Sequence, residues 1–355
     1  MLLFRVFSIP VRFFIALLIY FSWGPLAGGV VTAPVPEFSS PALIPYPSKV
    51  VRGAGEAGFR SVHVKVGSDV PGRDDLMKEI KDIFRTSGIQ GSLNSGGAAE
   101  GAMTWELFPD ARMKGEGYDL SVGLGKATVR AGSFGGFFNA LQTLRQLVFN
   151  REGEFAMPVV RISDKPAFVL RGIMLDVGRY YMSPALIKEV MRRLSRYKIN
   201  TLHLHLTDDP AWRLEVKKYP ALTDGAFHWK SRLPGRFYTQ AQLKDLTDYC
   251  ARLNIQVIPE IDMPGHSQPF ARAMKTGMQT EKGVSILKDV VDEAVSLFPG
   301  RFFHMGSDEA HISMKDFIPR MAEHIRGKGK EAVVWSPGGP HDKGSVLVCW
   351  GENEA

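Results

Sequence analysis

At 355 residues, 45% hydrophobic and 23% charged, the chain has the makeup of folded globular material with room for about two domains, which excludes a low-complexity or disordered protein. Its formal charge of +7 comes from 44 basic residues scattered among 37 acids, with no basic run of the kind that tracks phosphates, so no nucleic-acid partner is expected. Two cysteines exclude a disulfide framework: Cys250 shares a helical stripe with Leu243, Leu246 and Leu253, and Cys349 lies in the apolar run Val346–Trp350.

Residues 1–29 read as a signal peptide. Arg5 and Arg12 precede the apolar stretch Phe13–Phe21, Gly24-Pro25 interrupts it, and Ala27-Gly28-Gly29 supplies the small residues that a signal peptidase needs. The stretch falls short of the about 20 residues that span a bilayer, and an uncleaved anchor is the competing reading. No later segment resembles a transmembrane helix, so an exported chain is expected, periplasmic or secreted, with no membrane contact beyond this segment.

Residues 40–165 read as a small α+β domain. Val62, Val64 and Val66 alternate with polar residues, as do Tyr118, Leu120, Val122 and Leu124, which marks half-buried strands. A helix over about Phe134–Phe149 carries Phe137, Leu141, Leu144 and Val148 on one face, and the Gly/Ser-rich stretch Ser92–Ala99 reads as a loop. This domain shows no candidate chemistry, and a supporting role is expected of it.

From residue 166 to 355 strand and helix alternate strictly. Strand-like runs fall at Val169–Val177, Thr201–Thr207, Ile255–Ile261, Phe302–Met305, Ala332–Trp335 and Val346–Trp350. Ser183-Pro184 opens one intervening helix, and Thr239 with Gln242 three residues on predicts a capping box for the next. Repeated β-α units make a parallel sheet, closed as a barrel or open and doubly wound. Each strand ends in polar or aromatic residues: Asp176 and Arg179; Asp208 and Asp209; Glu260, Asp262 and His266; Asp308 and Glu309; Trp335; Trp350. That distribution is the pattern of a (β/α)₈ TIM-type barrel, whose site is built from strand ends. Leu175–Met182 lacks the Gly-rich fingerprint of a dinucleotide-binding sheet. From Ala167 onward the chain is well short of the about 250 residues of a typical barrel, so an incomplete barrel of about six strands, without the last two β-α units, is expected.

Asp308-Glu309 is the leading candidate for chemistry. Glycosidic cleavage needs a protonated carboxyl to donate to the leaving oxygen and a second group to stabilise charge at the anomeric carbon. Neighbours on a regular strand point to opposite faces, so both reach one site only because the strand ends and Gly306 permits a bend. The bland alternative is a capping or salt-bridging pair. His203 and His205 share one strand face and, with Asp208 and His266, also make a metal-dependent amidohydrolase a rival reading; against it stands a hydrogen-bonded pair inside the barrel. Arg179 is a sugar clamp or a salt-bridge partner of Asp176, and Trp335 and Trp350 are sugar-stacking walls or core.

Taken together, four strings resemble family 20 glycoside hydrolases, the β-N-acetylhexosaminidases: RGIMLDVGR over Arg171–Arg179, NTLHLHLTDD over Asn200–Asp209 with Trp212-Arg213, PEIDMPGH over Pro259–His266, and HMGSDEAH over His304–His311. The resemblance takes in the small N-terminal domain and covers residues ~40–351. It implies an exo-acting hydrolase of terminal β-linked N-acetylglucosamine or N-acetylgalactosamine, acting on amino-sugar oligosaccharides or glycoconjugates by substrate-assisted retention. Glu309 would be the general acid and then base. Asp308 would orient the 2-acetamido group that attacks the anomeric carbon. Arg179 would bind sugar hydroxyls, Asp208 and His266 would form a relay to Glu309, and Trp335 and Trp350 would line the pocket. No metal or organic cofactor is implied, and the His-x-His pair becomes structural. Ser307 departs from the family's usual glycine. The shortfall in length leaves open an inactive remnant or sugar-binding protein, or a partner chain that completes the barrel.

Overall fold

The computed structural model describes residues 4–5, 42–94, 99–151, 153–338 and 343–350. The expected signal peptide therefore lies outside the described residues, except for Phe4–Arg5. Two compact units emerge: one runs to Val169 and takes in Arg196–Lys198, and the other holds Leu170–Ser195 and the chain from Ile199 on, together with strand β1 (Phe4–Arg5).

The first unit contains β2 (Lys49–Phe59), β3 (Ser61–Val66), α1 (Arg73–Ser87), β4 (Gln90–Leu93), β5 (Ala102–Pro109), β6 (Tyr118–Gly123), β7 (Lys126–Ala131), α2 (Phe134–Leu147), β8 (Phe149–Arg151) and β9 (Glu154–Asp164). Its mixed sheet runs β2-β9-β6-β7-β5-β3-β4, with β8 paired to β9. Period-2 burial drives it: Met103, Trp105 and Leu107, and Leu120 and Val122, are buried while their neighbours are more exposed, and in β3 His63 is buried along with Val62 and Val64. Helices α1 and α2 lie side by side, with Gln142 and Arg145 of α2 donating to Glu79 of α1, and each buries an apolar stripe that includes Leu76, Ile80 and Ile83 on α1 and Phe137, Leu141 and Leu144 on α2. Patterning located α2 but had not singled out α1, and Ser92-Leu93, expected in a loop, belong to the edge strand β4.

In the second unit the strands are β10 (Gly172–Asp176), β11 (Thr201–His205), β12 (Thr207–Asp208), β13 (Ala211–Trp212), β14 (Gln256–Glu260), β15 (Phe302–His304), β16 (Glu331–Ser336) and β17 (Val346–Cys349). The helices are α3 (Pro184–Ser195), α4 (Gln240–Arg252), α5 (Gln268–Met274), α6 (Glu281–Val295) and α7 (Phe317–Gly327). A curled sheet of parallel neighbours runs β1-β17-β16-β15-β14-β11-β10, a half-barrel, while β12 and β13 form a separate two-stranded ribbon. The expected capping box at the start of α4 is present, with Thr239 Oγ1 accepting from Gln242 N–H and Gln242 Oε1 accepting from Thr239 N–H. Leu202 and Leu204 of β11 are buried on the helix side. On the opposite, concave face Ile258, Phe302, Val333, Trp335 and Val348 form an apolar cluster, and all of them but Trp335 line a cavity open to solvent. No helix among the described residues is long and apolar enough to cross a membrane.

Candidate active site

Register places the site. Asp176 pairs with His205, His205 with Glu260, Glu260 with His304, and His304 with Val333, so four titratable residues from four adjacent strands stand in one row at the strands' C-terminal ends. Two residues further on, Trp335 projects from the same face of β16.

Glu260 has no exposed surface. Its Oε1 accepts from Trp335 Nε1–H at 2.7 Å, and its Oε2 lies 2.7 Å from His205 Nδ1 and 2.8 Å from His203 Nε2, the latter off line for a hydrogen bond. Burial alone would push this carboxyl up, but the His205, His304 and His203 rings around it hold it well below the usual carboxylate range. His304, also fully buried, is pushed down to about 3 by loss of water and stays neutral. Its Nδ1 accepts the Gly306 N–H at 3.0 Å, so the ring braces the turn that follows β15. His203 and His304 stack at 4.7 Å, and Trp335 tilts against both.

From that buried layer a chain of contacts runs outward. His205 Nε2 lies 3.0 Å from Asp208 Oδ2, and Arg179 bridges Asp208 Oδ2 at 2.9 Å and Asp176 Oδ2 at 2.8 Å. Burial opposes ionisation of Asp208, but His205, Arg179 and His266 outweigh it and lower its pKa. His266 Nδ1 stands 3.7 Å from Asp208 Oδ1 and 3.8 Å from Asp209 Oδ2, while its Nε2 meets Glu309 Oε2 at 3.1 Å.

The turn carrying Asp308 and Glu309 is wound tightly. Gly306, Ser307 and Glu309 have φ of 69°, 83° and 50°, all left-handed. Glycine is required at 306, where a Cβ would sit 1.9 Å from Asp262 Oδ1. This winding puts two consecutive acids in different surroundings: Asp308 is 8% exposed, while the Glu309 side chain is 55% exposed toward solvent. Burial, and then the like charges of Glu260 and Glu309, raise the Asp308 pKa against the pull of its own backbone N–H. The Asp262 carboxyl, buried beside Glu260, is raised well above the usual range, again chiefly by burial.

The structure thus gathers Arg179, Asp208, His266, Asp308 and Glu309 around one strand-end surface, with Trp335 below them. Trp335 is buried and gives its N–H to Glu260. Trp350, at the end of β17, is half exposed, and among the described residues its ring stacks on none of the others. Trp212 and Arg213 are buried: Trp212 donates to Leu214 O, and Arg213 donates to the carbonyls of Val177, Arg232, Leu233 and Arg236. Several His/Asp/Glu triads here come close enough to gather a cation, among them His203, Glu260 and His304, or Asp176, His205 and Asp208. In both, hydrogen bonds already occupy ligand atoms: Glu260 accepts from Trp335 and His205, and both His205 nitrogens meet carboxylates. Glu260, noted in the sequence only as a strand-end carboxylate, and His304 were given no role there. The signal for Glu260 is one carboxylate inside the apolar run Val257–Ile261, which must be paired if buried.

Two family models match the chain: "Glycosyl hydrolase family 20, domain 2" over residues 40–165 and "Glycosyl hydrolase family 20, catalytic domain" over residues 168–283. A β-N-acetylhexosaminidase of Cellulomonas fimi is 30% identical over 286 residues, 72% of this chain and 58% of the relative. A β-hexosaminidase of Porphyromonas gingivalis is 37% identical over 301 residues, 68% of this chain and 38% of the relative. The chain therefore spans about half the length of the curated relatives it matches. Among solved structures, the Streptomyces plicatus N-acetyl-β-hexosaminidase in complex with Thio-NAglucal superposes with a TM-score of 0.78 at 28% identity, over 88% of this chain and 69% of that one. A mutant of the same enzyme, in complex with its product GlcNAc, superposes with a TM-score of 0.77 at 29% identity, over 88% of this chain and 69% of that one.

Proposed function

Because the chain belongs to glycosyl hydrolase family 20, we propose that it is an exo-acting β-N-acetylhexosaminidase, retaining and substrate-assisted, that releases terminal β-linked N-acetylglucosamine or N-acetylgalactosamine. The observation that carries the reading is the contrast between the two acids of one turn. Glu309 reaches solvent with His266 against its carboxylate at 3.1 Å, while Asp308 is shielded beside it. An exposed acid with an imidazole partner is placed to trade protons with a leaving oxygen and then with water. A shielded carboxylate is placed to orient the substrate's acetamide N–H and to balance the positive charge of the oxazolinium that forms when the acetamide oxygen attacks the anomeric carbon. Arg179, fixed by Asp176 and Asp208, presents its remaining guanidinium surface to the sugar hydroxyls. Trp335 forms the floor of the acetamide pocket and Trp350 one side of it.

The reading is supported on the substrate side by the N-acetyl-sugar ligands of the Streptomyces relatives. Arg5, Arg12, the apolar run Phe13–Phe21 and Ala27-Gly28-Gly29 support export. The deciding experiment is hydrolysis of an aryl N-acetyl-β-glucosaminide by the full chain with and without a chelator. Turnover that survives the chelator and falls about 10²–10⁴-fold in Glu309→Gln is expected. Turnover lost to the chelator, or unchanged in Glu309→Gln, overturns the reading.

A further inference from the structure

Two contacts and deep burial isolate His205 from water and fix its proton count. Its Nδ1 lies 2.7 Å from Glu260 Oε2 and its Nε2 3.0 Å from Asp208 Oδ2, and the residue is 4% exposed. A neutral imidazole has one N–H and would turn a lone pair toward the second carboxylate; only an imidazolium donates to both. Glu260 lies beneath the polar surface, where it is walled in by His203, His304 and Trp335. We propose that Glu260 is a positioning residue, which keeps His205 doubly protonated so that His205 anchors Asp208 for His266 and Arg179, and through His266 governs the protonation of Glu309.

The proposal rests on the hydrolase reading for its kinetic consequences but not for the state of His205. Asp208 needs such an anchor because its Oδ2 already serves Arg179 and its Oδ1 accepts the Asp209 N–H and faces His266. The groups that face His205 are Glu260 and Asp208 in contact, Asp176 in the adjoining strand, Asp262 beyond Glu260, and His304 across the row. Negative groups predominate there, and although burial disfavours a buried cation, they raise the His205 pKa well above the ordinary histidine value. With Glu260 neutralised, a His205 that has lost its proton still donates to Asp208 through Nε2. The charge behind Asp208 is gone, however, and the pH at which Asp208 ionises moves up.

Ring-nitrogen NMR of the full chain, with His205 assigned through its loss in His205→Gln, reads the first half directly. Both nitrogens of His205 are expected to stay protonated well past the ordinary histidine pKa of about 6.5. A ring that titrates near the ordinary value overturns the proposal even if no turnover is detected. On the aryl glycoside, Glu260→Gln is expected to lower kcat at least about tenfold with KM changed less than about threefold, and to change the acid limb of the pH profile, since it removes the charge behind Asp208 and also relieves Asp308 of a like charge. His205→Gln, which keeps a donor toward Asp208 but carries no charge, is expected to lower kcat and change the limb as well, and serves if Glu260→Gln does not fold. Folded variants with wild-type kcat and pH profile overturn the positioning role.

Discussion

Asp308 and Glu309 are adjacent in sequence yet differ in surroundings more than many distant pairs. Asp308 has its carboxyl raised, by burial before anything else, so its charged form appears only above the ordinary aspartate range. Since the proposed chemistry needs the carboxylate, kcat/KM should climb with rising pH through a value above the ordinary ~3.9, and Asp308→Asn should remove that ionisation from the profile. Ser307 raises a different matter. It is fully buried at φ 83°, a conformation that costs a residue with a Cβ about 1–2 kcal/mol, and its hydroxyl has no hydrogen-bond partner among the described residues. Ser307→Gly should therefore raise stability by up to about 1 kcal/mol, measured as a higher thermal midpoint, after allowing for the extra freedom glycine has when unfolded. The strings around these residues were legible in sequence, as was the bend at Gly306. What could not be read there is which acid would be shielded, because that depends on left-handed φ values at Ser307 and Glu309, where glycine would be the ordinary choice.

Strands β10, β11, β14, β15, β16 and β17 were located to within a few residues because each apolar run stops at charged or aromatic residues, whereas β1 and the short β13 were not foreseen. Their register was not legible, since it is set by pairing between runs far apart in the chain, and register is what lines up Asp176, His205, Glu260 and His304. Trp212-Arg213 matched a family string but gave no hint of role from sequence. In the structure the Arg213 guanidinium is buried, its pKa pushed down to about 10, and it ties Val177 O after β10 to three carbonyls of the 232–236 loop. Arg213→Met should leave those carbonyls without their donor and destabilise the protein by about 3 kcal/mol, seen in denaturant unfolding. Amide exchange should quicken first in residues 228–238.

Over the whole molecule, composition and the change of pattern near residue 166 foretold two parts, an α+β unit and a parallel α/β one. Packing divides the chain less simply than sequence does, because Arg196–Lys198, which follow α3, cluster with the first unit. There Lys198 Nζ lies 2.9 Å from Asp164 Oδ2 and 2.9 Å from the Tyr118 hydroxyl, all three nearly or fully buried. Burial would raise the Asp164 pKa, but the ammonium outweighs it and lowers the carboxyl, so the pair stabilises the fold above the ordinary aspartate pKa and the benefit fades as pH falls through the lower folded value. Lys198→Met should cost about 3 kcal/mol near neutral pH, by urea denaturation, and less below about pH 4, where an orphaned Asp164 takes up a proton.

The row of titratable side chains across β10, β11, β14 and β15 also bears on how such a chain tolerates change in length. Each member reaches its neighbours only while all four strands stay in phase, and a strand shifted by one residue turns its side chain to the opposite face. Single-codon insertions or deletions inside those strands should therefore abolish the site, whereas loops beyond the strand ends can lengthen or shorten without disturbing the row. Descent with altered loops would vary what the protein accepts while the proton-handling core beneath stays in frame.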